Sequence, residues 1–518
     1  VKLVIVHYHL RPGGVRRVIE LAAPHLVRTS KRRVTGVMLA SGEPPDRKWL
    51  ENFKRLLGRT PMELFVEPAF SYFSEQRQSV SNLRRRIDRG LLRLLGGGRG
   101  EELIVWAHNL GLARNLLLTQ QLSNHCQAHG VRLLAHHHDW WFDNRWQRWP
   151  ECRRAGFHSL GAVAEAIFDS NHTHHITINH ADAAVLERHA HGQVTWLPNL
   201  AEPEPQPARK KVRAAREWLS RRLGTEAPVW LLPCRFLRRK NVAEALLLTR
   251  WLRPEAWLVT TGGVSSSDEQ PYFDQLHAAA HAHHWRLRLG VLAGDETRKP
   301  AMPELLAASE AVMLTSIQEG FGLPYLEAAA TRRPLIARAL PNIAPDLAQF
   351  GFNFPQSYAE ILISTKLFDW QAERARQHQL FRRWTRDMPA AVRRLAHEPP
   401  LMASQRPTAA VPFSRLTLTT QIEILAQPVA RSWDACAPLN PFLATWQRRA
   451  ARGGLQISPW PRRAVHWLGG ESYGRKFWSA YAAENRQSGI HPKKCQADFI
   501  RHKLHPEYLY PLLWSRAS

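Results

Sequence analysis

Ser316-Ile317-Gln318-Glu319-Gly320-Phe321-Gly322-Leu323-Pro324-Tyr325-Leu326-Glu327 carries two acids eight residues apart with a Gly-Phe-Gly turn between them. A short apolar run, Val312 to Thr315, precedes it, and a run of helical character, Leu323 to Ala330, follows. The reading is therefore a strand that passes through a glycine turn into a helix. With the helix beginning near Leu323, Glu319 lies in the loop at the carboxyl edge of a sheet and Glu327 about one turn into the helix. Both then face one ligand. The free N–H groups of the first helical turn offer an anion site to a phosphate or a sugar hydroxyl. Acids near a helix start are also favoured by the helix dipole alone, so the chemistry rests on what surrounds them.

Outward from this segment the same pattern repeats. Short runs rich in Val, Ile and Leu alternate with stretches of helical period, as in parallel sheets covered by helices. Strands are expected near Val229 to Pro233, Trp257 to Thr261, Arg288 to Leu292, Val312 to Thr315 and Pro334 to Ala337, with a helix over Val242 to Trp251. Towards the N-terminus, strands are expected near Leu3 to Tyr8, Val34 to Ala40, Leu103 to His108, Leu133 to His137, Ala166 to Ser170 and Val194 to Leu197. The proline-rich PNLAEPEPQPARKK separates the two series as a linker. A second linker, HEPPLMASQRPTAAVPF, follows Ala396. The expected organisation is one α/β domain over 1–200, a second over 205–395, and a basic, Trp-rich C-terminal extension over 400–518.

The stretch EGFGLPYLEAAATRRPLIA resembles the signature of the retaining nucleotide-sugar glycosyltransferases of family 4 in its acid spacing, its glycines and the small-residue helix and strand that follow. The resemblance covers about residues 1–395. It implies the GT-B fold, two Rossmann-like doubly wound domains facing a cleft, with the C-terminal extension outside it. It implies that Glu319 contacts hydroxyls of the transferred sugar and Glu327 the ribose hydroxyls of the nucleotide, with Gly320, Phe321, Gly322 and Leu323 lining the donor. Leu231-Leu232-Pro233-Cys234-Arg235-Phe236-Leu237-Arg238-Arg239-Lys240-Asn241 is similar to the family's R-x-x-x-x-K element. Arg235 and Lys240 would neutralise the donor diphosphate and the charge that grows on it as it leaves. Cys234 and Asn241 stand where the family often has glycine.

Near the N-terminus, His9-Leu10-Arg11-Pro12-Gly13-Gly14-Val15-Arg16 joins a strand to a helix. Gly13 and Gly14 let the backbone approach a ligand closely, although the pair is not the GxGxxG dinucleotide fingerprint. Arg16 stands where the resemblance would put an acid. Two histidine-rich strand ends follow, Trp106-Ala107-His108-Asn109 and Ala135-His136-His137-His138-Asp139-Trp140-Trp141. The second resembles the family's His-Asp element, in which the histidine bonds a sugar hydroxyl. That points to His138 and Asp139, with His136 as the alternative should the strand register differ. Alternating histidines in a strand can also hold a metal, but no cysteine or acidic set accompanies them, so no metal site is expected. Asn171-His172-Thr173-His174-His175 is read as a polar loop.

The bulk numbers limit partners and compartment. Among 518 residues, 71 Lys and Arg against 44 Asp and Glu leave a formal charge of +27, which attracts polyanions such as tRNA or an anionic bilayer. Five cysteines without a CxxC pair suit a reducing compartment. VKLVIVHYHL lacks the long apolar core of a signal peptide. The expectation is a cytoplasmic protein that could also sit peripherally on the inner face of a membrane. Leu83, Ile87, Leu91 and Leu94 share one face of an arginine-rich helix, which could pack on the first domain, lie on such a membrane or turn its arginines to RNA. The tryptophans Trp433, Trp446, Trp460, Trp467, Trp478 and Trp514 stand among basic residues and could form a small core, or stack on bases or sugar rings.

The resulting expectation is a retaining hexosyltransferase that uses a UDP- or GDP-sugar as substrate, with no resident cofactor. Its acceptor is undetermined: an anionic lipid, a saccharide, a phosphorylated small molecule or RNA. The competing expectation is a noncatalytic nucleic-acid- or membrane-binding protein on the same scaffold.

Overall fold

A computed structural model describes residues 1–96, 101–168, 172–190, 192–203, 205–264, 266–294, 299–483 and 491–514. The chain divides into two compact units. Unit 1 comprises Val1–Glu202, Asp387–Ala396 and Val465–His505, and unit 2 comprises Pro203–Arg386, His397–Ala464 and Pro506–Ser518. The stretch read as a C-terminal extension is thus shared between the two units.

Unit 1 is built on strands β1 (Lys2–Val6), β2 (Gly36–Ser41), β3 (Met62–Val66), β4 (Leu103–His108), β5 (Arg132–His137), β6 (Thr173–Thr177) and β7 (Val194–Trp196). All pairings are parallel, in the order β3-β2-β1-β4-β5-β6-β7. The central strands are continuous apolar runs because helices cover both faces of a parallel sheet. Leu3, Val4, Ile5, Ile104, Val105 and Trp106 are accordingly buried.

Part of that cover comes from far along the chain. Helix Gly470–Ala482 packs against helix Gly14–Thr29 and puts Tyr473 and Phe477 into the unit 1 core. Two of its glycines face that contact. A Cβ at Gly470 would lie 1.9 Å from the His25 ring, and one at Gly474 would lie 2.0 Å from Thr29 Oγ1. Only hydrogen side chains let the two helices come this close. Helix Pro492–Lys503 is tied to the same unit, with Gln496 Nε2 donating to Leu160 O at 2.7 Å.

Unit 2 repeats the plan with β8 (Val229–Leu232), β9 (Trp257–Thr260), β10 (Leu287–Arg288), β11 (Ala311–Leu314), β12 (Leu335–Arg338) and β13 (Gln356–Tyr358), parallel in the order β10-β9-β8-β11-β12-β13. A two-stranded antiparallel ribbon, β14 (Leu362–Ser364) with β15 (Ala410–Pro412), is added beyond it. Under the sheet, Arg338 donates to Glu244 at 2.6 Å and pairs with Glu360, while the Tyr358 hydroxyl also donates to Glu244. Arg338 and Glu244 are both buried, so each charge depends on its partners. Both sheets have the strand order of a doubly wound Rossmann unit, the GT-B class of architecture.

Several local expectations change. Ala166 to Ser170 is not a strand: Leu160–Phe168 is a helix, and Ser170 and Asn171 lie outside the described residues. The sixth strand comes instead from the next segment, Thr173-His174-His175-Ile176-Thr177, whose first three residues the sequence reading places in a polar loop. Its β-branched Thr173, Ile176 and Thr177 suit a strand, and burial of its histidines hides their polarity. The basic helix is Val80–Gly96, and Leu83, Ile87, Leu91 and Leu94 are buried in unit 1, which leaves that stripe unavailable to a bilayer. Trp446 and Trp514 are buried, and the other four C-terminal tryptophans partly so. Trp514 rests on Phe381 and Trp384, with ring centroids 5.3 and 5.5 Å away. The five cysteines are buried and unpaired. Among the described residues no helix is long and apolar enough to cross a membrane.

Candidate active site

In unit 2 the strand order reverses between β8 and β11, and ligands of doubly wound sheets bind outside the carboxyl ends of the strands at such a point. The two segments singled out in the sequence leave these two strands. They are bonded to each other: Ile317 N donates to Arg239 O at 2.8 Å, and the Thr315 hydroxyl donates to Lys240 O and Asn241 O at 3.0 Å each.

Glu319 lies where they meet. Its carboxylate accepts from Arg239 Nη1 at 2.7 Å and is paired with Lys240 Nζ, and its side chain is 8% exposed. Burial alone would push the carboxyl up. The two cations outweigh it and hold Glu319 at about 2, so the group is ionised throughout the physiological range. Asn342 Nδ2 donates to Glu319 O at 2.9 Å and fixes the backbone.

The turn that follows can be made only by glycine. Gly322 has φ 80°, and a Cβ there would lie 2.7 Å from the Tyr325 ring. Helix Leu323–Ala330 starts immediately after it, with Phe321 buried, Leu323 partly buried at the first position and Glu327 one turn in. Gly320 is partly buried in the same loop.

On the β8 side, Arg235 is exposed and makes no ion pair, whereas Lys240 is buried. Asn241 adopts φ 47° and ψ 56°, a left-handed conformation that asparagine tolerates. This accounts for its presence at a position where glycine is common. Burial pushes the Cys234 thiol up to about 12, so it stays protonated and is no nucleophile.

Two contributors were missed in the sequence. Arg239 pairs with Glu319, although the spacing drew attention to Arg235 and Lys240. Gly262, after β9, lets the Cys234–Arg235 backbone pass: a Cβ there would lie 3.0 Å from Arg235 Cα and from Cys234 O. The signal for it was the Thr-Thr-Gly-Gly run that closes the apolar strand. A cavity of about 790 Å³ lies at the opposite edge of this sheet, near the starts of β8 and β11, and is lined by Arg213, Arg216, Arg333, Glu217, Glu226 and Glu310 among others. None of the residues above lines it.

Unit 1 reverses its strand order between β1 and β4, and its candidate residues also collect at the carboxyl ends of strands. Gly13 and Gly14 are exposed, and a Cβ at Gly14 would meet nothing within 4 Å. These glycines therefore leave open space, in contrast to Gly322. Arg11 is bound in bidentate fashion to Glu43 at 2.7 Å, and the Arg16 guanidinium lies 5.3 Å from the Trp49 ring centre.

His138 and Asp139 are held by Asn109, whose Oδ1 accepts from both backbone N–H groups at 2.9 and 3.2 Å. Asn109 has φ 60°. Asp139 pairs with Arg145 at 3.1 Å. His108 Nδ1 and His138 Nε2 are 3.0 Å apart, and the Trp106 indole donates to His136 Nδ1 at 3.2 Å. Burial lowers His7 to about 3 and His138 to about 4, and carries His108, His136 and His137 well below the ordinary imidazole value. All five rings are neutral at pH 7. His108 Nε2 and His136 Nε2 are buried without a hydrogen-bond partner, a state that costs about 1–3 kcal/mol per group. Read along the chain, the histidines formed separate pairs; the β4–β5 register brings them together, placing His108 beside His136.

Residues 220–354, most of the unit 2 sheet, match the model of the family Glycosyl transferases group 1. Mannosylglucosyl-3-phosphoglycerate synthase of Petrotoga mobilis is 23% identical over 359 residues, 66% of this chain. The match spans 65% of that relative's own length. Among solved structures, the N-terminal domain of Candida albicans trehalose-6-phosphate phosphatase is similar with a TM-score of 0.50 at 10% identity, over 93% of this chain and 96% of its own. Anabaena HepE in complex with UDP and glucose gives a TM-score of 0.47 at 15% identity, over 69% of this chain and 84% of its own.

Proposed function

We propose that this chain is a retaining glycosyltransferase that moves a hexose from a UDP- or GDP-sugar to an acceptor, with the donor on unit 2. The observation that carries the reading is Glu319, a buried carboxylate kept ionised by Arg239 and Lys240 at the switch point of a doubly wound sheet. Perturbed ionisable groups cluster at functional sites, and this one stands at the carboxyl edge where doubly wound sheets bind their ligands. The group 1 segment over 220–354 supports the reading, as does the synthase named above, which matches beyond that segment.

The residues divide the work. Exposed Arg235 and the amine of Lys240 receive the diphosphate, and the N–H groups opening helix Leu323–Ala330 add positive potential. As the bond between sugar and phosphate breaks, negative charge accumulates on the departing phosphate, and these fixed cations stabilise it without reorganising. Glu319 then exchanges part of its contact with the cations for sugar hydroxyls, and Glu327 takes the ribose. The acceptor hydroxyl attacks from the face the phosphate leaves and passes its proton to the departing phosphate, which preserves configuration without an enzyme nucleophile. In unit 1, the family resemblance assigns sugar-hydroxyl contacts to His138 and Asp139. A phosphorylated small molecule is the favoured acceptor class, since it suits a chain of charge +27 and the product named for the Petrotoga protein.

The test is release of nucleoside diphosphate from a panel of UDP- and GDP-hexoses, with pools of phosphorylated acids, lipid extract or tRNA as acceptor. One donor and one pool should support release, and Glu319→Gln should lower it by about 100-fold or more. Release from no donor would leave a noncatalytic binding protein, and release indifferent to Glu319 would overturn the role assigned to that carboxylate.

A further inference from the structure

We propose that His108, His136 and His138 form a binding site in unit 1 for one divalent transition-metal ion of the zinc type. The three rings offer nitrogens that all lie within 4.8 Å of one another. The sheet produces this arrangement directly. Side chains alternate across a strand, so His136 and His138 share a face and His137 takes the other, where its Nε2 meets His175 Nδ1 at 2.9 Å. The parallel register places His108 of β4 beside His136 of β5, on the same face. His136 near the end of β5, His138 just past that end and His108 on the neighbouring strand make a three-histidine face with a further position left for water.

His108 and His138, hydrogen-bonded to each other, already stand near the separation an ion would require, and that bond gives way on loading. A tetrahedral zinc at about 2.0–2.1 Å from each nitrogen holds its ligands about 3.3 Å apart, and His108 Nδ1 stands 3.0 Å from His138 Nε2. Ring centres lie 4.5, 5.2 and 5.3 Å apart for 136–138, 108–136 and 108–138. Buried Nε2 of His136 lacks a partner, and coordination supplies one. His108 and His136 are buried, and His138 is the least enclosed of the three. With imidazole ligands alone, the site selects zinc, cobalt, nickel or copper over magnesium or calcium.

One neighbour must adjust. Coordination through His136 Nε2 requires the proton on Nδ1, which now accepts from Trp106 Nε1. The indole gives up that bond on loading, so the environment of Trp106 reports occupancy.

The experiment uses the full chain, stripped with chelator and dialysed, then titrated with Zn²⁺ and separately with Co²⁺. We expect one zinc per chain by elemental analysis, visible absorption characteristic of low-coordinate cobalt, and an emission change on loading that Trp106→Phe removes. His138→Ala, at the least enclosed ligand, and His136→Ala should each weaken zinc binding at least 100-fold. His129→Gln, an exposed histidine elsewhere in the unit, should not. Circular dichroism identifies a variant that has not folded. Wild-type protein that retains less than 0.1 zinc per chain at micromolar free ion overturns the proposal whatever the variants do, as does zinc that His129→Gln removes as readily as His138→Ala. The readout is the ion, so it stands whether or not the chain transfers sugar.

Discussion

The two units present the same sheet order to the same kind of edge and fill it in opposite ways. At the edge of unit 2, charges neutralise one another: Glu319 with Arg239 and Lys240, and beneath the sheet Glu244 with Arg338. At the edge of unit 1 the buried groups are neutral imidazoles, and His108, His136 and His137 each leave a nitrogen without a partner. At one edge the buried charges are paired internally, and at the other the buried groups are polar but unfinished. A ligand at the first must compete with internal partners, whereas a ligand at the second completes bonds the protein lacks.

The comparison can be broken most severely at Arg338. Arg338→Met leaves Glu244 buried without its cation, and a loss of about 3–5 kcal/mol in unit 2 is expected, read as a shift in its calorimetric transition. A change below about 1 kcal/mol would show that Glu244 simply takes up a proton.

Acid should separate the units next. His174 is lowered to about 3, by burial and then by Arg132 and His175, and burial lowers His175 to about 4. A lowered folded value favours the native state fully above the ordinary 6.5 and loses that contribution as pH falls towards 3–4. Glu319, lowered to about 2, keeps its contribution of up to about 3 kcal/mol until pH drops below about 4.5. Hydrogen exchange, corrected for intrinsic rates, should therefore show β6 losing protection between pH 6.5 and 4.5 while the loop 315–322 holds. Simultaneous loss would contradict this assignment.

The glycines give the smallest and cleanest contrast. Gly322→Ala places a methyl against Tyr325 at a positive φ and should cost about 1–2 kcal/mol. Gly14→Ala meets nothing and should stay within about 0.5 kcal/mol. If Gly14→Ala nonetheless lowers turnover, the open space beside it belongs to substrate.

What could be read from the chain follows the same division. The Glu319 loop was legible because acid, glycine and helix start lie within a dozen consecutive residues, and a strand-turn-helix fixes their relation locally. Arg239 was missed because its role depends on which of three neighbouring cations faces a loop some eighty residues later. The sixth strand was misplaced because Ala166-Ile167-Phe168, apolar on all sides, can be read as either helix or strand, while buried histidines look like a loop. The histidine face required the β4–β5 register, which no local pattern supplies. Gly470 and Gly474 were invisible for a similar reason, since their partners His25 and Thr29 lie at the other end of the sequence.

That last contact affects how the molecule comes into being. During translation, residues 1–202 emerge with helix Gly14–Thr29 uncovered, and the segment that covers it begins only at Val465. Unit 2 can fold largely on its own chain in the interval, while unit 1 waits with an apolar stripe exposed to chaperones. A gene fragment cut after the proline-rich linker would encode every strand of the first sheet and still yield a sticky product, whereas supplying Val465–His505 as a separate peptide should restore solubility.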